Sequence, residues 1–238
     1  MKDLFGNALL DYQNGNYTED IMTSTSISDE DILPLPYLFR DFKDMPSLEQ
    51  KALKLAKGSV LDVGCGTGSH SLFLQEKGLK VKAIDISKGA IEVAKKRKVI
   101  YAEEKNVLDE TGSFDTILLL MNGTGIFQEL IHVSKYLSHL KSLLNLKGQI
   151  LIDSSDIKYM YEDEDGGFWI DTNSSYYGEL DYFLSYKGEE EVPMKWLYLD
   201  FETLKMACET VGLKCELVLE GKHFDYLARL IPAEAGIL

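Results

Sequence analysis

Arginine is scarce in this chain: Arg40, Arg97 and Arg229 are the only examples, and the formal net charge is −14. A phosphate backbone needs a face rich in lysine and arginine, so nucleic acid is excluded as a partner. The one basic cluster, Lys95-Lys96-Arg97-Lys98, ends a predicted helix, where cations complement the dipole. Cysteine is also sparse. Cys65, Cys208 and Cys215 make an odd count without a Cys-x-x-Cys pair. No disulfide framework or zinc site is expected, and a reducing cytoplasm fits. No apolar run approaches the roughly 18 residues of a membrane span, and Met1-Lys2-Asp3 lacks a signal peptide's apolar core. Internal repeats and low-complexity segments are absent as well.

What is present is the composition of a globular protein, 45% hydrophobic and 11% aromatic, in a length that one domain with a cap accommodates. The most informative stretch is Val60-Leu61-Asp62-Val63-Gly64-Cys65-Gly66-Thr67-Gly68, an apolar strand entering a turn with three glycines. Leu79-Lys80-Val81-Lys82-Ala83-Ile84-Asp85 follows as a second strand, ending on an acid 21 positions after Gly64. Glycines let backbone approach a ligand closely, and an acid at the next strand tip accepts hydrogen bonds from a ribose diol. Together they read as a pocket for a nucleoside-containing cofactor. The dinucleotide fingerprint requires a third glycine where Ser69 stands, so the pattern is Gly64-x-Gly66-x-Gly68.

That pattern resembles the first motif of the class I S-adenosylmethionine (SAM)-dependent methyltransferases, over Gly58 to about Asp153. The resemblance implies SAM as cofactor and S-adenosylhomocysteine as product. It assigns Gly64, Cys65, Gly66 and Gly68 to the methionine part and ribose, and Asp62 to the cofactor's amino group. Asp85 matches the acid on both ribose hydroxyls, with Ile86 beside the adenine. Asn106 and Val107 stand where the family places an acid and a small apolar residue near the adenine amino group. Met121 and Asn122, in the segment Met121-Asn122-Gly123-Thr124-Gly125, are further cofactor candidates. The Asn/Asp-Pro-Pro-Tyr/Phe pattern that grips a nucleobase nitrogen is absent, so nucleobase methylation loses its usual marker and a small-molecule acceptor is expected.

Strand and helix alternate from Leu48: a helix over 48–56, then a strand over 59–63 and a helix over 69–77. Ser87 caps the next helix. Strands over 99–102 and 114–120 follow, then a long amphipathic helix carrying Leu130, Val133, Leu137, Leu140 and Leu144, and a strand over 149–153. This alternation predicts an α/β fold, a doubly wound, mostly parallel sheet binding ligand beyond its strands' carboxyl ends. The family implies seven strands, the last antiparallel. Residues 1–46, rich in Asp, Asn, Ser, Thr and Tyr, read as an N-terminal extension or lid, and 47–153 as the cofactor core. In the substrate-side insertion, 154–200, alternation over Tyr176–Tyr186 and the run Trp196–Leu199 predict an antiparallel hairpin over the cleft. A helix and two strands complete 201–238.

Methyl transfer from a sulfonium needs mainly positioning and exclusion of water, with a base only where the acceptor carries a proton. Candidate catalytic groups are His70 in the first helical turn after the glycines, Asp153 and Asp156 after the fifth core strand, and Tyr17 in the extension. His132 and His139 read as solvent-edge residues. Trp169, Tyr176 and Tyr177 could wall a substrate, while the acidic run Glu162–Asp165 lacks calcium-loop spacing, so no metal is expected. Alternatives from the same residues are an NAD-type dehydrogenase, an aminopropyl-type transferase and a non-catalytic SAM-binding protein.

Overall fold

The apolar runs after Ser59 need cover on both faces, and the intervening amphipathic helices supply it. The computed structural model describes residues 2–162 and 176–233. In chain order the elements begin with α1 (Leu4–Gln13), β1 (Ile21–Thr25), β2 (Ser28–Leu33), α2 (Leu35–Leu38), α3 (Ser47–Leu55) and β3 (Ser59–Val63). Then come α4 (Ser69–Glu76), β4 (Lys80–Asp85), α5 (Lys88–Lys96), β5 (Ala102–Glu104) and β6 (Phe114–Leu119). The rest are α6 (Val133–Ser142), β7 (Leu144–Ser155), β8 (Glu179–Tyr186), β9 (Glu189–Glu190), β10 (Met194–Leu197), α7 (Phe201–Thr210), β11 (Leu213–Glu220) and β12 (Asp225–Pro232).

Seven strands form the main sheet in the order β11-β12-β7-β6-β3-β4-β5. From β7 to β5 the pairs are parallel, while β12 runs antiparallel to both neighbours. The strand order reverses between β3 and β6, which opens a crevice at their carboxyl ends. Leu61, Ile117, Leu119, Ile150 and Ile152 pack on one face against Val133, Leu137 and Leu140 of α6. Val60, Leu118 and Leu151 pack on the other against Leu48, Ala52 and Leu53 of α3 and Leu74 of α4. Burial on both faces explains why β6 reads as a continuous apolar run.

The expected hairpin after the fifth core strand exists, with Trp196 opposite Leu180, but it is not a free-standing cover. Its strand β8 also pairs with β1, Met22 opposite Ser185 and Thr25 opposite Tyr182, and β1 pairs with β2. A second, antiparallel sheet of five strands results, assembled from residues 21–33 and 179–197. The N-terminal extension is therefore hairpin and helix built into a core, with Leu9, Ile21, Leu35 and Leu184 buried together. α1 crosses α5 where Gly6 meets Gly89; a Cβ on Gly89 would lie 2.5 Å from Gly6 backbone. Asp3 caps α1 through Gly6 N (3.1 Å) and also accepts from Gly89 N (2.9 Å).

The third core strand lies three residues later than expected. Val99 N donates to Ala94 O at 2.9 Å and Lys98 turns left-handed at φ 78°, so Val99 closes α5 instead. The long helix expected over 130–144 is divided, a 3-10 turn over Leu130–His132 preceding α6. Asp163–Asp165 and Trp169 lie outside the described residues, and no described helix is long and apolar enough to cross a membrane.

Candidate functional site

At the carboxyl end of β3, Gly64 N and Cys65 N both donate to Ile84 O, at 2.9 and 3.1 Å, and bind the turn to β4. Gly64, Gly66 and Gly68 have φ of 70°, 51° and 81°, a left-handed region that L side chains rarely adopt. Asp85 takes Gly66 N on one carboxylate oxygen and Ser87 N on the other, each at 2.9 Å. One acid thus holds the glycine turn and the start of α5, and each oxygen keeps acceptor capacity. Cys65 is buried with Ala83, Ile91 and Val99, and burial pushes its thiol up, away from a reactive thiolate. Asp62 accepts from Ser71 Oγ at 2.6 Å; burial raises its carboxyl above the ordinary range. It lies outside the lining of both cavities described next, because that bond spends it on α4.

A cavity of 150 Å³ opens beside the turn, with Asp85, Ile86, Asn106 and Val107 on its wall. Asn106 accepts from Leu108 N at 2.9 Å, capping a short 3-10 turn, and Val107 is buried beneath. His139, half-buried on α6 as a solvent-edge residue should be, places its Nε2 2.8 Å from Val107 O and steadies that wall. The opposite wall is Trp196, delivered by β10 of the second sheet. It packs so closely on Gly125 that any side chain there would run into the indole. Trp196, Ile126 and Tyr136 were not expected, since nothing in the spacing of the chain announces a contact across sheets.

A second cavity, 270 Å³, lies over β6, β7 and the start of β12, lined among others by Tyr37, Glu49, Met121, Asn122, Asp153 and Asp225. Met121 and Asn122 therefore face a different space from Asp85. Both have left-handed backbones, φ 67° and 60°, a strain that functional loops commonly carry. Asp153 holds them there, accepting from Met121 N at 3.0 Å and from Gly123 N at 2.9 Å. Burial pushes the Asp153 carboxyl up to about 6 despite those two bonds, with the Glu49 charge adding to the rise. Asn122 accepts from Ser154 Oγ (3.0 Å) and donates to Leu197 O (3.3 Å), joining the two sheets. The loop from Met121 to Gln128 walls both cavities, its first residues facing one and Gly125, Ile126 and Gln128 the other.

His70 is buried in an ionic cluster that the sequence did not disclose. Its Nε2 lies 2.6 Å from Glu49 Oε2, and Arg40 Nη2 donates to both Glu49 oxygens at 2.5 Å. Burial works against its charge, but Glu49 and Asp62 overcome that and raise His70. It supports Glu49 and lines neither cavity. Tyr17 bonds Asp20 at 2.9 Å on the exterior, and Asp156 accepts from Tyr177 Oη at 2.8 Å; neither lines either of these cavities.

A family model described as a methyltransferase domain matches residues 37–217, which include the glycine turn, the smaller cavity and all of the larger cavity's lining except Asp225. The chain belongs to that family. A SAM-dependent methyltransferase from Bacteroides fragilis, solved with S-adenosylhomocysteine, is 46% identical to it and superposes with a TM-score of 0.91. That match covers 98% of this chain and 95% of the other. Cypemycin N-terminal methyltransferase from a Streptomyces is 30% identical over 103 residues, 41% of this methyltransferase. The match spans 42% of that relative's length. A Clostridium acetobutylicum SAM-dependent methyltransferase, 14% identical, shares the fold at a TM-score of 0.57 over 80% of this chain and 94% of its own.

The cofactor of this methyltransferase is SAM, and the residues present suit it. At Gly66 an added Cβ would meet nothing within 4 Å, so bare backbone borders open space beside the turn. Asp85 stands at the tip of β4 with acceptor capacity for a diol, and exposed Ile86 and buried Val107 offer apolar surface for a flat ring.

Proposed function

We propose that this chain methylates a small-molecule acceptor, with SAM in the 150 Å³ cavity and the acceptor in the 270 Å³ cavity beside Asp153. The loop Met121–Gln128, walling both, is the observation that carries this reading. Asp85 would hold the ribose diol, Ile86 and Val107 would flank the adenine, and Gly64 and Gly66 would let the backbone approach. Asn106, its carbonyl spent on the cap, keeps its amide N–H groups for the ring edge. When bound, the cofactor supplies a methyl group on a sulfonium. The chain's own work is to fix the acceptor, keep water out and take up any proton that the acceptor must lose. Trp196 closes the cofactor side and Tyr37 borders the acceptor side, so segments outside the core supply the cover.

Calorimetric titration with SAM, S-adenosylhomocysteine, NAD and decarboxylated SAM tests the assignment. The first two should bind more tightly than the last two. Binding of NAD alone would reject the cofactor site and return the dehydrogenase reading.

A further inference from the structure

The cavity assigned to the acceptor has a one-sided lining. Asp153, Asp225 and Glu49 contribute carboxylates, and among the described residues no lysine or arginine lines it. Glu49 is already matched by Arg40 and His70 behind the wall. Among the described residues Asp153 and Asp225 form no ion pair: Asp153 accepts from the backbone N–H groups of Met121 and Gly123, and Asp225 Oδ1 accepts from His223 N at 3.0 Å. A partly water-excluded space with two unneutralised acids selects for a cation and against an anion.

The same edge carries an aromatic platform. Ser155 and Asp225, both lining the cavity, are paired across β7 and β12, and the next rung is Asp156 N to Phe224 O at 2.9 Å. One rung beyond the cavity, therefore, Phe224 stacks on Tyr159 with ring centroids 4.9 Å apart and planes 18° from parallel. Both rings are largely solvent-exposed, 62% and 45%, and Phe224 is held in a left-handed backbone at φ 59°. A bulky residue in that conformation, presented to water, is unusual on folding grounds alone. Such a pair offers a flat apolar surface to a ligand body whose charged end lies on the acids.

We propose that the acceptor is an amine on an apolar or aromatic body, its ammonium seated on Asp153 and Asp225 and its body on Tyr159 and Phe224. This rests on the assignment of the larger cavity to the acceptor. An ammonium has no lone pair, so an N–H bond must first break. The proton passes to an Asp153 oxygen and the bonding pair stays on nitrogen. Nitrogen then forms the bond to the methyl carbon as the carbon–sulfur pair returns to sulfur, which leaves as the neutral thioether. The methylated nitrogen emerges cationic, and Asp153 gives its proton to water. A carboxyl raised by burial accepts that proton more readily than an ordinary aspartate. The charges that act on it are Glu49 on α3, which raises it further, and His70 on α4, which lowers it, while Asp225 on β12 shares the cavity lining.

The full chain, saturated with S-adenosylhomocysteine, is titrated calorimetrically with 2-phenylethylamine, 2-phenylethanol and 3-phenylpropanoate, three probes with one body and different heads. The amine should bind at least about tenfold more tightly than either other probe, and Asp225→Asn should remove most of that margin. Phe224→Ala should weaken 2-phenylethylamine binding by several fold. Equal or tighter binding of the alcohol or the carboxylate overturns the proposal. So does a tenfold loss of S-adenosylhomocysteine or SAM affinity in Asp225→Asn, since the acids would then serve the cofactor. Asp153→Asn, checked for folding by its thermal melt, should retain S-adenosylhomocysteine binding and lose methylation of the amine detected by mass spectrometry; undiminished methylation overturns the role of Asp153. If the wild type fails to bind S-adenosylhomocysteine, the cofactor reading fails first. If it binds the cofactor product but shows no preference for the amine, this inference alone fails.

Discussion

Asp85 and Asp153 stand near the carboxyl ends of β4 and β7, with β3 and β6 between them in one sheet, and each spends both oxygens on backbone N–H groups. Their functions differ because their surroundings differ. Replacing Asp85 by Ala removes the diol acceptor and also frees the Gly66 amide, so SAM affinity should fall by about 2–3 kcal/mol in a calorimetric titration. Unchanged affinity would mean that the ribose lies elsewhere. The Asp153 carboxyl, raised from 3.8 to about 6, is bound to its proton more tightly in the folded chain than in the unfolded one. Its contribution therefore favours folding in acid and is lost as pH rises from 3.8 through about 6, about 3 kcal/mol in all. A carboxyl carbon titrating near pH 6 by NMR, and missing in Asp153→Asn, is the expected signature. A midpoint below 4 would show that water reaches the carboxylate. At this scale the glycines and Asp85 were legible, because a strand-turn-strand motif is local in sequence. The Arg40–Glu49–His70 cluster was not, since three helix-borne or loop-borne charges meet only after the layers have packed.

Elements show the same division. Ser87 was readable as a helix cap and does accept from Ala90 N at 3.0 Å; Asp200 caps α7 in the same way through Thr203 N at 2.9 Å. The hairpin of β8 and β10 was readable from alternation, and its pairing with β1 was not. Thr23 and Leu184 face each other from positions 161 residues apart, and no local pattern names a partner at that range. The extension was expected to cover the core, and α1 does pack on it, at a glycine-to-glycine crossing. Gly125 carries the consequence of the second sheet for the first, since the Trp196 ring occupies the space of its missing side chain. Gly125→Ala should push the indole out of the cofactor wall and cost about 1–3 kcal/mol of stability, with a parallel loss of SAM affinity. Thermal melts with and without S-adenosylhomocysteine measure both. A variant that melts lower yet gains the full ligand-induced shift would remove Trp196 from the cofactor site.

The whole molecule carries a formal charge of −14, and the two forms of the cofactor differ by one positive charge at the sulfur. Association of SAM should therefore slow as ionic strength rises from 10 to roughly 150 mM, while that of S-adenosylhomocysteine should barely change. Stopped-flow fluorescence of the tryptophans can follow both, and identical salt slopes would show that the field at the cleft mouth is weak. The pairing of β1 with β8 in one sheet sets an order on synthesis. The glycine turn and β4 leave the ribosome well before β8 exists, so strand β1 waits with one edge unpaired and the cofactor cleft waits without its indole wall. A growing chain has every residue of the glycine motif and an incomplete cleft. Competence to hold the methyl donor arrives late, with the strand that brings Trp196, long after the residues that the donor itself would touch at the ends of β3 and β4.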